Sequence, residues 1–137
     1  MLLASGCGSR ATAVAHVCSP TDRAFINAAQ LNITSLGLWA DEYKSGDIKA
    51  ADVIGEAHTA AQMMLDAQPA DPSLRQTRAL LNSMFNEYAR AVWAHSKKQD
   101  AAPHLVRAYG LANFAHDVLT EAEPALKAHG CDVSPLL

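Results

Sequence analysis

Apolar residues recur every three or four positions from about residue 20 to the end of the chain. This is the spacing of helices that bury one face, and the chain carries no β-hairpin signal. Clusters of Gly, Pro, Ser and Asp interrupt the pattern, so the helical stretches are joined by short links. The predicted helices span about 20–44, 47–68, 72–98 and from about 103 onward.

Helix-capping residues stand where these stretches begin and end. Ser19 and Asp71 each precede a proline, which indicates an N-cap followed by Pro at the first helical position. Gly46 is placed to end the first helix, and Asp47 to cap the second. We expect Pro124 to kink or restart the fourth helix, before Gly130 ends it. Short links make neighbouring helices antiparallel, so the fold class is all-α: an antiparallel up-down-up-down four-helix bundle.

Length and composition narrow the class of protein. A chain of 137 residues suits one domain, and its 50% apolar content is enough for a sizeable core. The balance of 11 basic and 14 acidic residues carries no electrostatic footprint for nucleic acid, so we expect no nucleic-acid partner. Motifs for common enzyme classes are absent from the sequence, so we expect no catalytic residues and a non-enzymatic function.

The chain opens with MLLASGCGS, a short apolar run followed by small residues and Cys7. This stretch resembles the end of a bacterial lipoprotein signal peptide, and with the Ala-rich composition it resembles actinobacterial envelope lipoproteins. Small phage-borne lipoproteins that block superinfection are similar in size and tether. The resemblance implies that 1–6 are a truncated signal remnant, that Cys7 carries the lipid, and that 7–18 form a tether to a domain at 19–137. It places the protein outside the cytoplasm, anchored by lipid to the cell-envelope membrane.

The two other cysteines flank the predicted bundle. Cys18 precedes the first helix and Cys131 follows the last. Because an even number of antiparallel helices brings both ends to one pole, we predict a Cys18–Cys131 disulfide that clamps the termini. Closing so long a loop contributes about 4–5 kcal/mol in the chain-entropy model. Such bridges belong outside the cytoplasm, and the alternative is two reduced thiols.

Histidines and tyrosines on the predicted inward stripes suggest a ligand site. His58 and His116 lie midway along the second and fourth helices, where they could face each other as axial ligands of a haem. Tyr43, Tyr88 and Tyr109 could ligate or line the same pocket. The alternative is that both histidines are partly buried and bonded to backbone or tyrosine hydroxyls. Haem is therefore possible, but no cofactor is required.

A metal site finds less support. His95 and His104 could approach each other near the third link, with Asp100 as a further ligand. Two histidines do not complete a zinc site, so we expect surface residues and no metal. Trp39 and Trp93 are expected to pack in the core, although an exposed patch for a partner is the alternative.

The chain also carries a faint internal echo at an offset of about 55 residues. If it reflects a duplication, Gly55 and Gly110 would occupy equivalent close helix contacts. Taken together, the sequence predicts an exported, non-enzymatic lipoprotein that binds a protein or a ligand at the cell envelope. Its partners would be the membrane, through the lipid, and a protein of the envelope. The alternative is a secreted bundle that binds haem or another small ligand.

Overall fold

Residues 17–137 are described by the computed structural model. Cys7 and most of the predicted tether lie outside them. Within that range the chain folds into four helices joined by short links, with no strand, so the predicted all-α bundle is confirmed. The helices are α1 (Pro20–Ser45), α2 (Ala50–Asp66), α3 (Pro72–Ser96) and α4 (Ala102–Ala128), followed by a short 3-10 helix (Ser134–Leu136).

Local hydrogen bonds explain where α1 and α3 begin. The Ser19 hydroxyl accepts from the Asp22 backbone N–H at 3.0 Å, and the Asp22 carboxylate accepts from the Ser19 N–H at 3.0 Å. This reciprocal pair is a capping box. The Asp71 carboxylate accepts from the backbone N–H groups of Ser73 and Leu74, at 2.8 and 3.2 Å. Both predicted N-caps are therefore confirmed.

The start of α2 differs from the prediction. Asp47 does not cap this helix, which begins at Ala50 after Lys49 and has no side-chain cap. The Asp47 backbone N–H instead donates to the Glu42 carbonyl at 2.8 Å, just after Gly46 adopts a left-handed conformation with φ of 82°. Asp47 therefore belongs to the C-terminal cap of α1.

Pro124 lies inside α4, which continues to Ala128 without restarting. Leu119 and Leu126 are both buried on either side of this proline, so tertiary packing holds one helix across it. Gly130 has φ of 91° and follows the end of the helix, as predicted. Across the described residues, no helix combines the length and the apolar character that crossing a membrane requires.

One end of the bundle is closed by a disulfide and a buried carboxylate, and we call it the clamped pole. Cys18 and Cys131 are bonded with their Cα atoms 5.3 Å apart, which confirms the predicted clamp. Asp22 is buried beside them and accepts from the backbone N–H groups of Ala70 and Asp71, at 2.7 and 3.0 Å. It thereby ties the start of α1 to the link before α3.

The charge of Asp22 is stabilised by this network. Burial by itself would raise the pKa of Asp22, but hydrogen bonds from the Ser19, Asp71 and Ala70 backbone and the Ser19 hydroxyl outweigh it, and the pKa is lowered. The buried group is therefore an ionised carboxylate with its oxygens occupied by donors.

The buried part of α1 lies towards the clamped pole, whereas α3 has buried residues along its whole length. In α1 the buried residues all fall between Asp22 and Asn32, and none of 33–45 is buried. Helix α3 is central and packs against the other three, whereas no Cα atom of α4 lies within 8 Å of one in α1. We call the opposite end, where α1 ends and α4 begins, the open pole. The largest fully buried side chains are Phe25, Phe85, Met64, Leu74 and Leu126.

The two glycines of the internal echo do not mark close helix contacts. A Cβ atom added at Gly55 or Gly110 would meet no other group within 4 Å. Both glycines therefore border open space, and the prediction that they bring helices together is wrong.

Candidate functional site

A groove runs between α1 and α4 over the half of the bundle that leads to the open pole, and α3 forms its floor. It consists of two adjoining cavities of about 350 and 280 Å³, which share Ala40, Tyr88 and Leu105. We call it the α1/α4 groove. Its lining is mostly apolar and comprises Ile33, Leu36, Gly37, Ala40, Tyr43, Lys44, Met84, Tyr88, Ala91, Val92, His95, Ala101, Leu105, Ala108, Tyr109 and Ala112.

The groove exists because the apolar stripe of α1 continues beyond Asn32, which is the last buried residue of this helix. Ile33 and Leu36 share that stripe with buried Ala29, yet Ile33 is 39% exposed. Across the opening, Tyr109 of α4 is 70% exposed. The apolar stripe of α1 thus faces inward along its length, but Ile33 and Leu36 are only partly covered, and no Cα atom of α4 lies within 8 Å of one in α1.

Three tyrosines surround the groove. Tyr88 lies on its floor, and burial raises the pKa of this phenol, with smaller contributions from Tyr43, Tyr109 and Asp41. Tyr88 is therefore a neutral hydroxyl at physiological pH. The structure brings together Tyr43, Tyr88 and Tyr109, which were predicted to line one pocket, although it does so without either predicted histidine.

A tyrosine–histidine pair stands at the end of the groove nearest the open pole. The Tyr43 hydroxyl lies 2.7 Å from Nδ1 of His95, and the two rings meet edge to face with centroids 5.7 Å apart. Lys44 lines the same end. The groove therefore combines a long apolar section with a short polar end that can donate hydrogen bonds and carries one positive charge.

His58 and His116 do not face each other across the core. Both are exposed, and no Cα atom of α2 lies within 8 Å of one in α4. Nδ1 of His58 lies 3.2 Å from the Asn86 side-chain oxygen. The buried positions are the preceding residues, Ala57 and Ala115, because small side chains allow close helix packing and the next residue is rotated by about 100°. The prediction of an inward-facing pair is wrong.

No match to this chain is found among protein-family models, curated proteins or solved structures.

A second polar cluster, which the sequence did not single out, lies between α3 and α4. The Glu87 carboxylate is mostly buried and accepts from Arg90 Nη1 at 2.7 Å, His104 Nδ1 at 3.0 Å and Arg107 Nε at 3.3 Å. The hydrogen bond from His104 lowers the pKa of Glu87 most; those from Arg107 and Arg90 add to it and outweigh burial. His95 and His104, which the sequence suggested together as candidate metal ligands, thus have different partners: His95 contacts Tyr43, and His104 contacts Glu87. Only the i,i+3 spacing of Glu87 and Arg90 hinted at this cluster.

One group of metal-ligand types is compact in the described range: Cys18, Asp22 and Cys131. The two sulfurs are bonded to each other, and the Asp22 oxygens accept backbone hydrogen bonds. This group is a structural clamp, and its chemistry offers no thiolate to an ion. Of the two tryptophans, Trp39 is half-buried, whereas Trp93 is 49% exposed and does not belong to the core.

Proposed function

We propose that this protein is a non-enzymatic ligand-binding module of the bacterial envelope, and that the α1/α4 groove binds a small, largely apolar molecule with one polar end. The observation that carries the proposal is the separation of α1 and α4, whose Cα atoms nowhere come within 8 Å of each other, and which leaves a concave apolar surface with a few polar groups at one end. Its cavities have the size of small-ligand sites.

The chemistry of the lining favours binding over catalysis. Polar groups in the groove include the tyrosine hydroxyls, His95 and Lys44, and these can orient a ligand through hydrogen bonds. No carboxylate, serine or cysteine belongs to the lining, so the Ser–His and Cys–His pairs of common hydrolases are missing from it.

The disulfide supports a location outside the cytoplasm. A bridge such as Cys18–Cys131 persists in an oxidising compartment. It also leaves Cys7 as the remaining cysteine of the sequence, which fits a lipid attachment there. In this proposal the membrane is reached through the lipid, and a protein of the envelope delivers or receives the ligand.

Filling the groove tests its role. Gly37 lines the groove, and a Cβ atom there would meet no neighbour within 4 Å, so a leucine can occupy the space without displacing the helix. We expect Gly37→Leu to weaken binding of the neutral dye N-phenyl-1-naphthylamine at least about tenfold, measured by fluorescence titration. Gly55→Leu on α2 is the matched control, since Gly55 is equally open and lies outside the groove. Equal dye binding by both variants would argue against the site.

The anchor is tested separately. The chain is expressed in a bacterial host behind an in-frame lipoprotein leader, as wild type and as Cys7→Ser. We expect the wild type in the membrane fraction, with an intact mass increased by lipid, and the variant in the soluble fraction. Identical partition of the two proteins would refute the tether without bearing on the groove.

The alternative function, haem binding, is favoured by one specific observation. The Tyr43–His95 pair at 2.7 Å places a phenol oxygen, a known axial ligand of haem iron, beside an imidazole that can accept its proton. A hemin titration followed at the Soret band distinguishes the candidates. Under this alternative Tyr43→Phe abolishes the band shift, while His58→Ala and His116→Ala leave it unchanged. An unshifted band with the wild type excludes haem.

A further inference from the structure

A third cavity, separate from the α1/α4 groove, lies between α3 and α4 beside the Glu87 cluster. It encloses about 410 Å³ and is lined by Ser83, Asn86, Glu87, Arg90, Arg107, Gly110 and Leu111. The α1/α4 groove lies on another face of α3, around Tyr88. The two sites share no residue, so this cavity is independent of the groove.

The charges of this cavity do not cancel. Arg90 from α3 and Arg107 from α4 both hydrogen-bond to the single carboxylate of Glu87. Two fixed positive charges therefore meet one negative charge, and His104 adds a further positive charge whenever it is protonated. The local field favours an anion.

Glu87 also positions both guanidinium groups from the buried side of the cavity. Its side chain is 12% exposed, whereas those of Arg90 and Arg107 are 63% and 54% exposed. The buried carboxylate accepts from Nη1 of Arg90 and from Nε of Arg107, and Nη2 of Arg107 lies 2.9 Å from Nδ1 of His104. These contacts restrict both guanidiniums and leave Nε and Nη2 of Arg90 and Nη1 of Arg107 as donors at the surface. Arginine pairs held in this way match the oxygens of phosphate and carboxylate groups.

The other polar groups of the cavity can donate as well. The Asn86 side-chain oxygen is already engaged by His58, which leaves the amide NH₂ as its second hydrogen-bonding group. Ser83 contributes a hydroxyl. Gly110 adds no side chain, and a Cβ atom there would meet nothing within 4 Å, so the room between the arginines is unfilled.

We propose that this cavity binds a phosphate group, clasped between Arg90 and Arg107, with Glu87 as the positioning residue for both guanidiniums. The same chemistry is offered by free phosphate, by a soluble phosphate monoester and by the phosphate of a lipid headgroup.

Calorimetric titration with inorganic phosphate tests the site on the whole protein. We expect millimolar or tighter affinity for the wild type and at least about a tenfold loss in Arg90→Gln and in Arg107→Gln. Arg75→Gln is the matched control, because it removes the same charge from α3 at a residue that bonds the Ala70 carbonyl, away from the cavity. Losses no larger than in this control, or no binding by the wild type, would overturn the proposal.

Two further variants keep the test decisive if an arginine variant fails to fold. Gly110→Leu fills the cavity without changing any charge and should abolish phosphate binding, whereas Gly55→Leu should not. Glu87→Gln removes a negative charge, so unpositioned surface arginines would then bind phosphate more tightly. Loss of affinity in Glu87→Gln supports positioning, and a gain of affinity overturns it.

The source of the phosphate is resolved by parallel titrations. Glycerol 1-phosphate represents a soluble monoester, and phosphatidylcholine vesicles with and without phosphatidylglycerol represent a membrane surface. Binding of the soluble ligands with no preference for anionic vesicles assigns the site to a soluble phosphate. Gly37→Leu should bind phosphate like the wild type, so failure here is distinguishable from failure of the groove.

Discussion

Helix α1 is buried to different extents at the two poles of the bundle. Near the clamped pole, Phe25 and Ala29 of α1 are fully buried. Towards the open pole, Ile33 and Leu36 continue the same apolar stripe but are only partly covered, and they line the groove between α1 and α4. The difference shows that an amphipathic face becomes buried core or an open groove wall according to what packs against it, and not according to its own residues.

The causes of closure are local to the clamped pole. The Cys18–Cys131 bond joins the outer ends of α1 and α4, and Asp22 ties α1 to the link before α3. At the open pole the corresponding tie is the Tyr43–His95 hydrogen bond from α1 to α3. We therefore expect the open pole to be the less stable end, since fewer buried apolar contacts hold it.

Removing the disulfide should have the largest effect. The bond closes a loop between residues 113 positions apart, so Cys18→Ser with Cys131→Ser should lower the free energy of unfolding by about 4–5 kcal/mol in the chain-entropy model. Urea unfolding followed by circular dichroism measures this. Reducing the wild type should reproduce the loss, and a change below about 1 kcal/mol would show that the clamp is not what closes this pole.

Truncating the stripe of α1 at two points compares the poles directly. Phe25→Ala should cost about 3–5 kcal/mol because it leaves a cavity in a fully covered core. Leu36→Ala should cost only about 1 kcal/mol, since Leu36 is already partly solvated in the groove. Similar losses for the two variants, measured by urea unfolding, would mean that the open pole is closed in solution.

Acidification should act on the clamped pole through Asp22. Its folded-state pKa lies below the usual 3.8, so its contribution is present above about pH 4 and is lost as the pH falls through the lowered pKa. Asp22→Asn should cost about 1–3 kcal/mol at pH 7 and flatten the acid side of the stability curve. Asp117→Asn, at an exposed residue, is the control. Glu87, whose pKa is also lowered, contributes in the same direction. An unchanged acid dependence in Asp22→Asn would contradict this role.

The smallest effect tests whether the groove is open. Gly37→Ala and Gly55→Ala replace glycines inside helices where an added Cβ meets nothing within 4 Å. Each should raise the free energy of unfolding by about 0.5–1 kcal/mol through helix propensity. Thermal unfolding of the pair makes the comparison. A gain at Gly55 with a loss at Gly37 would indicate that α4 packs against α1 and that the groove is filled by protein.

Much of the local structure followed from the residues. Ser19 and Asp71 cap helices through side-chain bonds to backbone N–H groups within three positions, so their neighbours suffice to predict them. The role of Asp47 could not be predicted in this way, because a residue in a short link can serve either the helix that ends or the helix that begins there. Its backbone N–H caps the end of α1. The predicted inward positions of His58 and His116 were wrong because each histidine directly follows an alanine, and a shift of one residue around the helix exchanges the buried and exposed positions. The small alanines, Ala57 and Ala115, are the residues that pack in the core.

By itself, the sequence determined the number of helices and their antiparallel arrangement, the caps at Ser19 and Asp71, and the pairing of Cys18 with Cys131. These depend on contacts between near neighbours and on the fact that an even number of antiparallel helices returns to its starting pole. Only the tertiary structure decided that α4 lies away from α1, that three tyrosines line the opening, and that Glu87 joins two arginines. Those features depend on distances between helices, which are set by the packing of many side chains at once and are written in no single stretch of the chain.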